Sequence, residues 1–147
     1  MGDSLEQRVQ RLEDIEAIRR LKFRQMSALD AADAVGVSNV YTEDALWEGG
    51  GERRDGRQVI REVMTRNMAR TRWFFHVVEN AEIDVASDGL HATGTWKLLE
   101  WYLSEGKRYW MLGRFEDRYR KDGGHWLIEY SHWSREVLAE VQAEVVA

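Results

Sequence analysis

Two titratable side chains stand where apolar residues are expected in this sequence, and both types suit proton transfer at carbon. In the run Thr93-Gly-Thr-Trp-Lys-Leu-Leu-Glu-Trp-Tyr-Leu103, Glu100 alternates with Trp96, Leu98 and Tyr102. Side chains two apart on a strand share a face. A carboxylate on an apolar wall is costly unless it is paired, hydrated or chemically useful, and apolar surroundings would raise its pKa toward that of a general acid. His76, in Trp73-Phe-Phe-His-Val-Val78, has Phe74 and Val78 at the same spacing. Histidine already titrates near neutrality, so it can take a proton from a carbon beside an electron-withdrawing group. His132 shares a predicted strand face with Trp126, Ile128 and Tyr130 and is a further pocket candidate. His91 and His125 lie beside turns, where solvation is expected.

Structural alternatives stand beside each of these readings. Glu100 can pair with Arg108 or Lys107 across a hairpin. His76 can be a satisfied core residue, and Trp96, Trp101, Trp110 and Trp133 can fill a core or a subunit interface.

The elements that must position these groups are helices first and strands after. Leu5, Val9, Leu12, Ile15, Ile18, Leu21, Met26 and Leu29 recur at helical spacing, which predicts one long amphipathic helix, with a break near Asp14 open. It ends near Asp30-Ala-Ala-Asp33, where Asp30 can simply close a turn. A short helical stretch through Val40 follows, then a turn at Tyr41-Thr-Glu-Asp44, a short strand from Ala45 to Trp47, and a polar loop over 48–55. Asp55 and Gln58 have capping-box spacing ahead of a second helix, with Val59, Ile60, Val63, Met64 and Met68 as its buried stripe. Four strands are predicted over roughly Trp73 to Val85, Leu90 to Leu103, Arg108 to Arg120 and His125 to Trp133. The turns between them are Ser87-Asp-Gly89, Ser104-Glu-Gly106 and Lys121-Asp-Gly-Gly124. The tail over 136–146 can form a last helix. Helices ahead of an antiparallel meander indicate an α+β domain. One domain is expected over residues 1–147, with helices about 5–70 and strands about 73–134.

Composition removes several classes of function. Net charge is −5 over 147 residues, against a nucleic-acid partner; Arg57, Arg61, Arg66, Arg70 and Arg72 read as the wet face of a helix. There is no cysteine, hence no disulfide or thiolate chemistry. No apolar run approaches a membrane span and the first residues are charged, so no membrane partner and a cytoplasmic location are expected. Seven tryptophans suggest aromatic pocket walls as well as core.

Four segments in order resemble the SnoaL-like branch of the nuclear-transport-factor-like superfamily. They are Val9-Gln-Arg-Leu-Glu-Asp-Ile-Glu-Ala-Ile-Arg-Arg-Leu-Lys22, Leu29-Asp30, Tyr41-Thr-Glu-Asp-Ala-Leu-Trp47 and Gly113-Arg-Phe-Glu-Asp-Arg-Tyr-Arg-Lys-Asp-Gly-Gly-His-Trp126. The resemblance covers about residues 5 to 135. It implies a cone, a curved antiparallel sheet around the long helix with an internal pocket. Members include bile acid and scytalone dehydratases, a dehydrochlorinase, ketosteroid isomerase, polyketide cyclases and non-catalytic domains, so fold alone leaves function open.

Carried onto this chain, the resemblance implies that Asp30 orients His76 and that His76 is the base, with Glu100 in the place of an additional acid. Gln25 stands where bile acid dehydratase has a catalytic tyrosine, and glutamine supplies no phenolic proton; Tyr102, Tyr109 and Tyr130 are alternative acids. The resulting expectation is a lyase of dehydratase type, or an isomerase, with no cofactor and no metal, acting on a hydrophobic ring-bearing small molecule. Its catalytic residues would be His76, Asp30 and Glu100, with Gln25, Trp47, Trp96, Tyr102 and His132 around the substrate. A polyketide-type cyclase and a non-catalytic binding or assembly domain remain the alternatives. Contact between Asp30 and His76 in an unfilled cavity favours the enzyme. An exposed sheet face rich in Trp and Leu implies a homo-oligomer, a trimer or a dimer by resemblance to different members.

Overall fold

The computed structural model describes residues 2–142, apart from the Phe74 side chain. Its first element is one unbroken helix, α1 (Leu5–Asp30), about 39 Å long at ~1.5 Å per residue. Ser4 starts it with a reciprocal capping box to Gln7. Asp14 does not break the helix. Buried instead, it accepts from Trp126 Nε1 at 2.8 Å and pairs with Lys121 Nζ at 2.7 Å. The expected stripe is buried at Ile18, Leu21, Met26 and Leu29, whereas Leu5, Val9 and Leu12 are exposed where the first turns project past the core.

The remaining elements are α2 (Ala34–Asn39), β1 (Tyr41–Gly49), β2 (Glu52–Asp55), α3 (Arg57–Met68), β3 (Thr71–Val85), β4 (His91–Ser104), β5 (Lys107–Asp122) and β6 (His125–Glu140). They form one strongly curled sheet in the order β2-β1-β6-β5-β4-β3, a half-barrel against which α1 packs. The cone is as expected, but the sheet is mixed: β1 runs parallel to β6 while every other pair is antiparallel. Among the described residues no helix is long and apolar enough to cross a membrane.

Several local expectations are corrected. Tyr41 to Asp44 is strand, because both Tyr41 and Thr42 bury fully beside β6. The polar loop is a hairpin whose two turn residues, Gly50 (φ 61°) and Gly51 (φ 80°), supply the left-handed conformations that a tight β-turn of this kind requires. Asp55 pairs with Arg53 on β2 and caps nothing; Gly56 precedes α3 without a side-chain cap. On α3, Ile60, Val63 and Met64 are buried and Val59 is exposed. The tail does not turn helical at 136: β6 continues to Glu140, held by pairing with β5 as far as Tyr109. The end of that predicted helix lies outside the described residues.

Two of the sheet's bulges decide which side chains face the interior near His132 and His76. Between Arg118–Tyr130 and Tyr119–Ile128 the β5–β6 register gains one residue at Glu129, and a bulge flips the alternation beyond it. Ile128 and Ser131 therefore both bury, while Tyr130 and His132 turn outward. A second extra residue sits at Phe74, between Trp73–Tyr102 and Phe75–Trp101. It leaves Trp73 and His76, three apart in sequence, on one cavity wall.

Candidate active site

A cavity of about 290 Å³ lies inside the cone, walled by α1, α3 and all six strands; His76, Glu100, Tyr102, Trp47, Trp73 and Trp133 are among its lining residues. Of the predicted substrate-side residues, Trp47 and Tyr102 line it. Glu100 reaches it because β4 keeps unbroken alternation from Ala92 through Leu98, burying Trp96 and Leu98 on the same face. His76 lies directly opposite Glu100 in the β3–β4 ladder.

The three predicted catalytic groups meet. His76 Nδ1 is 2.7 Å from Asp30 Oδ1, and the His76 backbone N–H donates to Asp30 Oδ2 at 3.2 Å. On the other side of the ring, Nε2 is 3.0 Å from Glu100 Oε2. Asp30 is the last residue of α1, whose final turn holds no basic side chain; helix ends of this polarity attract a cation, and the imidazole fills that place. Side-chain exposure falls from 26% for Asp30 and 12% for Glu100 to 2% for His76. Burial by itself would depress the His76 pKa, but hydrogen bonds and charge from Asp30 and Glu100 outweigh it and lift the group above its ordinary 6.5. Neither Arg108 nor Lys107 is the cross-strand partner of Glu100, which faces Met111; they lie opposite Leu103 and Ser104.

Other predicted positions fall elsewhere. Gln25 is fully buried and donates to the Tyr41 hydroxyl at 2.6 Å, behind the cavity wall and not on it. Trp96 is core, edge-on to Phe23 at 6.3 Å with its Nε1 donating to Tyr119. His132, whose side chain is 41% exposed, looks outward toward Glu116, the consequence of the bulge at Glu129. Of the tyrosines proposed as acids, Tyr102 lines the cavity with Tyr109 stacked on it at 5.2 Å, whereas Tyr130 points outward and donates to Glu48. His91 pairs with Asp88 at an exposed turn.

Sequence reading overlooked two cations on the cavity, Arg54 and Arg135. Arg135 follows Trp133 at period two, once the bulge at Glu129 is known. Arg54 lies opposite Trp47 in the β1–β2 ladder, and the Gly-Gly turn that makes this hairpin was the available signal. Among the described residues no cluster of three His, Asp or Glu groups is arranged to hold a metal ion.

Below the cavity lies a second buried polar set. Lys22 Nζ contacts Asp117 Oδ2 at 2.8 Å and sits 3.4 Å from the centre of the Phe115 ring. Tyr119 and Ser131 also donate to Asp117. Desolvation lowers the Lys22 pKa against the pull of Asp117.

The same cone is found in solved proteins. One, provisionally named an aromatic ring hydroxylase, from Novosphingobium aromaticivorans, is 23% identical with a TM-score of 0.81, covering 88% of this chain and 94% of that one. Another from that organism, provisionally named a scytalone dehydratase, is 17% identical with a TM-score of 0.80 over 92% of each chain. A hexachlorocyclohexane dehydrochlorinase of LinA type 3 from Novosphingobium barchaimii is 15% identical with a TM-score of 0.82, covering 95% and 97%. At these identities the likeness is one of fold. No curated protein matches the sequence. The model of the SnoaL-like domain matches residues 10–132, so the chain belongs to the SnoaL-like domain family.

Proposed function

We propose that the protein is a lyase or isomerase that moves a substrate proton with its own side chains and acts on a hydrophobic ring-bearing small molecule, with elimination of water as the favoured reading of its reaction. The observation that carries this reading is the continuous chain Asp30–His76–Glu100, with contacts of 2.7 and 3.0 Å, at the wall of an unfilled cavity. A buried ionic chain is weak support for stability, since apolar residues of similar size serve a core as well or better. Placed at a cavity with a shifted histidine, it suits proton transfer. The family's solved relatives, with names that include a dehydratase and a dehydrochlorinase, agree with this class.

The geometry favours an exchange of the roles expected from sequence. His76 Nε2 is covered by Glu100 and its ring is almost wholly buried, so Glu100 is the group assigned to meet the substrate. Its carboxylate takes the proton from the carbon next to the activating group. That C–H electron pair forms the C=C bond as the C–O bond to the hydroxyl breaks, and the proton on Glu100 passes to the departing oxygen to give water. His76, held as an imidazolium by Asp30, stabilises the Glu100 carboxylate before the first transfer and again after the second. Return of the proton to a different carbon instead gives isomerisation.

Across the outer sheet face, the rows Phe75–Trp101–Trp110–Ala139 and Val77–Leu99–Leu112–Val137 form a broad apolar surface. Phe75, Leu112 and Val137 in it are exposed, which supports self-association through this face. The function is tested by incubating the protein, without added cofactor, with ring-bearing β-hydroxy carbonyl compounds and measuring loss of water by mass spectrometry. Product formation by the wild type and not by Glu100→Gln is the expected result. Absence of turnover across the panel, or equal turnover by Glu100→Gln, overturns it.

A further inference from the structure

The cavity holds a second polar feature that the proton chain does not use. Arg54 has a side chain only 6% exposed, yet among the described residues its Nε and Nη1 have no hydrogen-bond partner, while Nη2 is engaged by the exposed carboxylate of Glu52. The guanidinium lies 4.6 Å from the centre of the Trp47 ring, and Trp47 Nε1 is likewise buried without a partner among the described residues. Both residues line the cavity. Buried donors left unmatched cost free energy, more so on a cation, and a site that retains them is arranged for an acceptor that arrives with a ligand.

Their place in the fold adds direction. Arg54 is on β2 and His76 on β3, the two opposite edges of the sheet order, and both face the one cavity. A molecule spanning the cone therefore meets fixed positive charge on one side and the Glu100 carboxylate on the other.

We infer that Arg54 and Trp47 form a carboxylate-binding subsite, so that the substrate is a ring-bearing organic acid whose acid group is held on β1–β2 while its reacting carbon lies at Glu100. This deepens the function proposed above and rests on it for the word substrate; the binding site itself does not. Arg54 here is a positioning residue. A guanidinium with unmatched donors at Nε and Nη1 and an aromatic ring against its face is chemically suited to a planar carboxylate.

Calorimetric titration with two matched probe pairs, benzoate against benzyl alcohol and 2-naphthoate against 2-naphthylmethanol, separates the possibilities without any turnover. In the wild type at least one acid is expected to bind about 10- to 100-fold more tightly than its alcohol, the effect of a hydrogen bond to a charged group. Arg54→Met should abolish that preference while the alcohol binds as before, and Arg54→Lys should keep part of it. Trp47→Phe, which keeps a ring but removes the indole donor, should reduce it and serves if Arg54→Met does not fold. Glu100→Gln should retain the preference, so that loss of elimination in that variant with acid binding intact separates the two proposals. Equal binding of acid and alcohol by the wild type, no binding of either acid, or an undiminished preference in folded Arg54→Met overturns the inference.

Discussion

His76 Nε2 and Glu100 Oε2 face each other at 3.0 Å across the β3–β4 ladder, one residue directly opposite the other. The pair is fixed by backbone register, so neither side chain has to search for its partner. Asp30 reaches the far nitrogen from the end of α1 and also accepts the His76 backbone N–H, which ties the helix end to the strand. Preorganisation of this kind places the proton-handling groups before substrate enters.

The first prediction concerns the roles of the three residues. Glu100→Gln should lower turnover by ~10²–10⁴-fold, as expected for loss of a general acid–base group, and Asp30→Asn and His76→Asn should each cost a comparable factor, because the three act as one unit. Double variants should lose little more than single ones. Turnover assays with parallel melting curves check this, and activity losses that track losses of stability would instead mark the trio as structural.

A second prediction follows from the raised pKa of His76. A group with a folded pKa above its unfolded value stabilises the fold fully below the unfolded value, near 6.5, and that contribution disappears as pH climbs through the folded value. The melting temperature should therefore decline on the alkaline side of 6.5, with a limb that His76→Asn removes. Nitrogen-15 spectra of the ring should show both nitrogens protonated at pH 6.5, with loss of one proton at higher pH. A melting temperature that rises through this window would contradict the ion-paired imidazolium.

The buried pair Lys22–Asp117 gives a third expectation, about stability alone. Both side chains are fully buried, and Lys22→Met leaves Asp117 with Tyr119 and Ser131 as its side-chain donors among the described residues. Breaking one partner of a buried pair costs about 3–5 kcal/mol. The double variant Lys22→Met with Asp117→Asn should recover part of it in denaturant unfolding, since no lone charge then remains. A loss in the double variant equal to the sum of the two single losses would show that the pair is uncoupled.

At Gly49, close approach predicts a change in the cavity and not only in stability. A Cβ there would overlap the indole of Trp133, a cavity wall. Gly49→Ala should displace that ring and weaken binding of naphthalene-sized ligands more than of benzene-sized ones, as read by calorimetry. Unchanged affinity for both sizes would show that the wall yields without consequence.

How much of this was legible beforehand depended on regularity. Glu100 could be placed on the cavity face because β4 alternates without interruption up to it, whereas the pairing of Asp30 with His76 came from the resemblance to SnoaL-like domains and not from any local pattern. His132 was misplaced for the opposite reason: one extra residue at Glu129 reverses the side chains that follow it as far as the next bulge at Glu136, and nothing in the local composition announces a bulge. Gln25 and Trp96 lie on inward faces, as expected, but inward includes both core and cavity, and only packing separates the two. Arg54 was hidden because a charged tetrapeptide after three glycines reads as loop, whereas the left-handed Gly50–Gly51 turn folds it back as a strand opposite Trp47. Parallel pairing of β1 with β6 joins residues more than eighty positions apart, a contact no local pattern encodes.

Exchange at the reacting carbon tests the assignment of Glu100 most directly. In D₂O without cofactor, the wild-type protein should incorporate deuterium from solvent beside the activating carbonyl of a ring-bearing acid that lacks a leaving group. Glu100→Gln should slow that exchange by ~10²–10⁴-fold while still binding the acid. Exchange at the wild-type rate in Glu100→Gln, with its loss confined to His76→Asn, would contradict the account and return the base to His76.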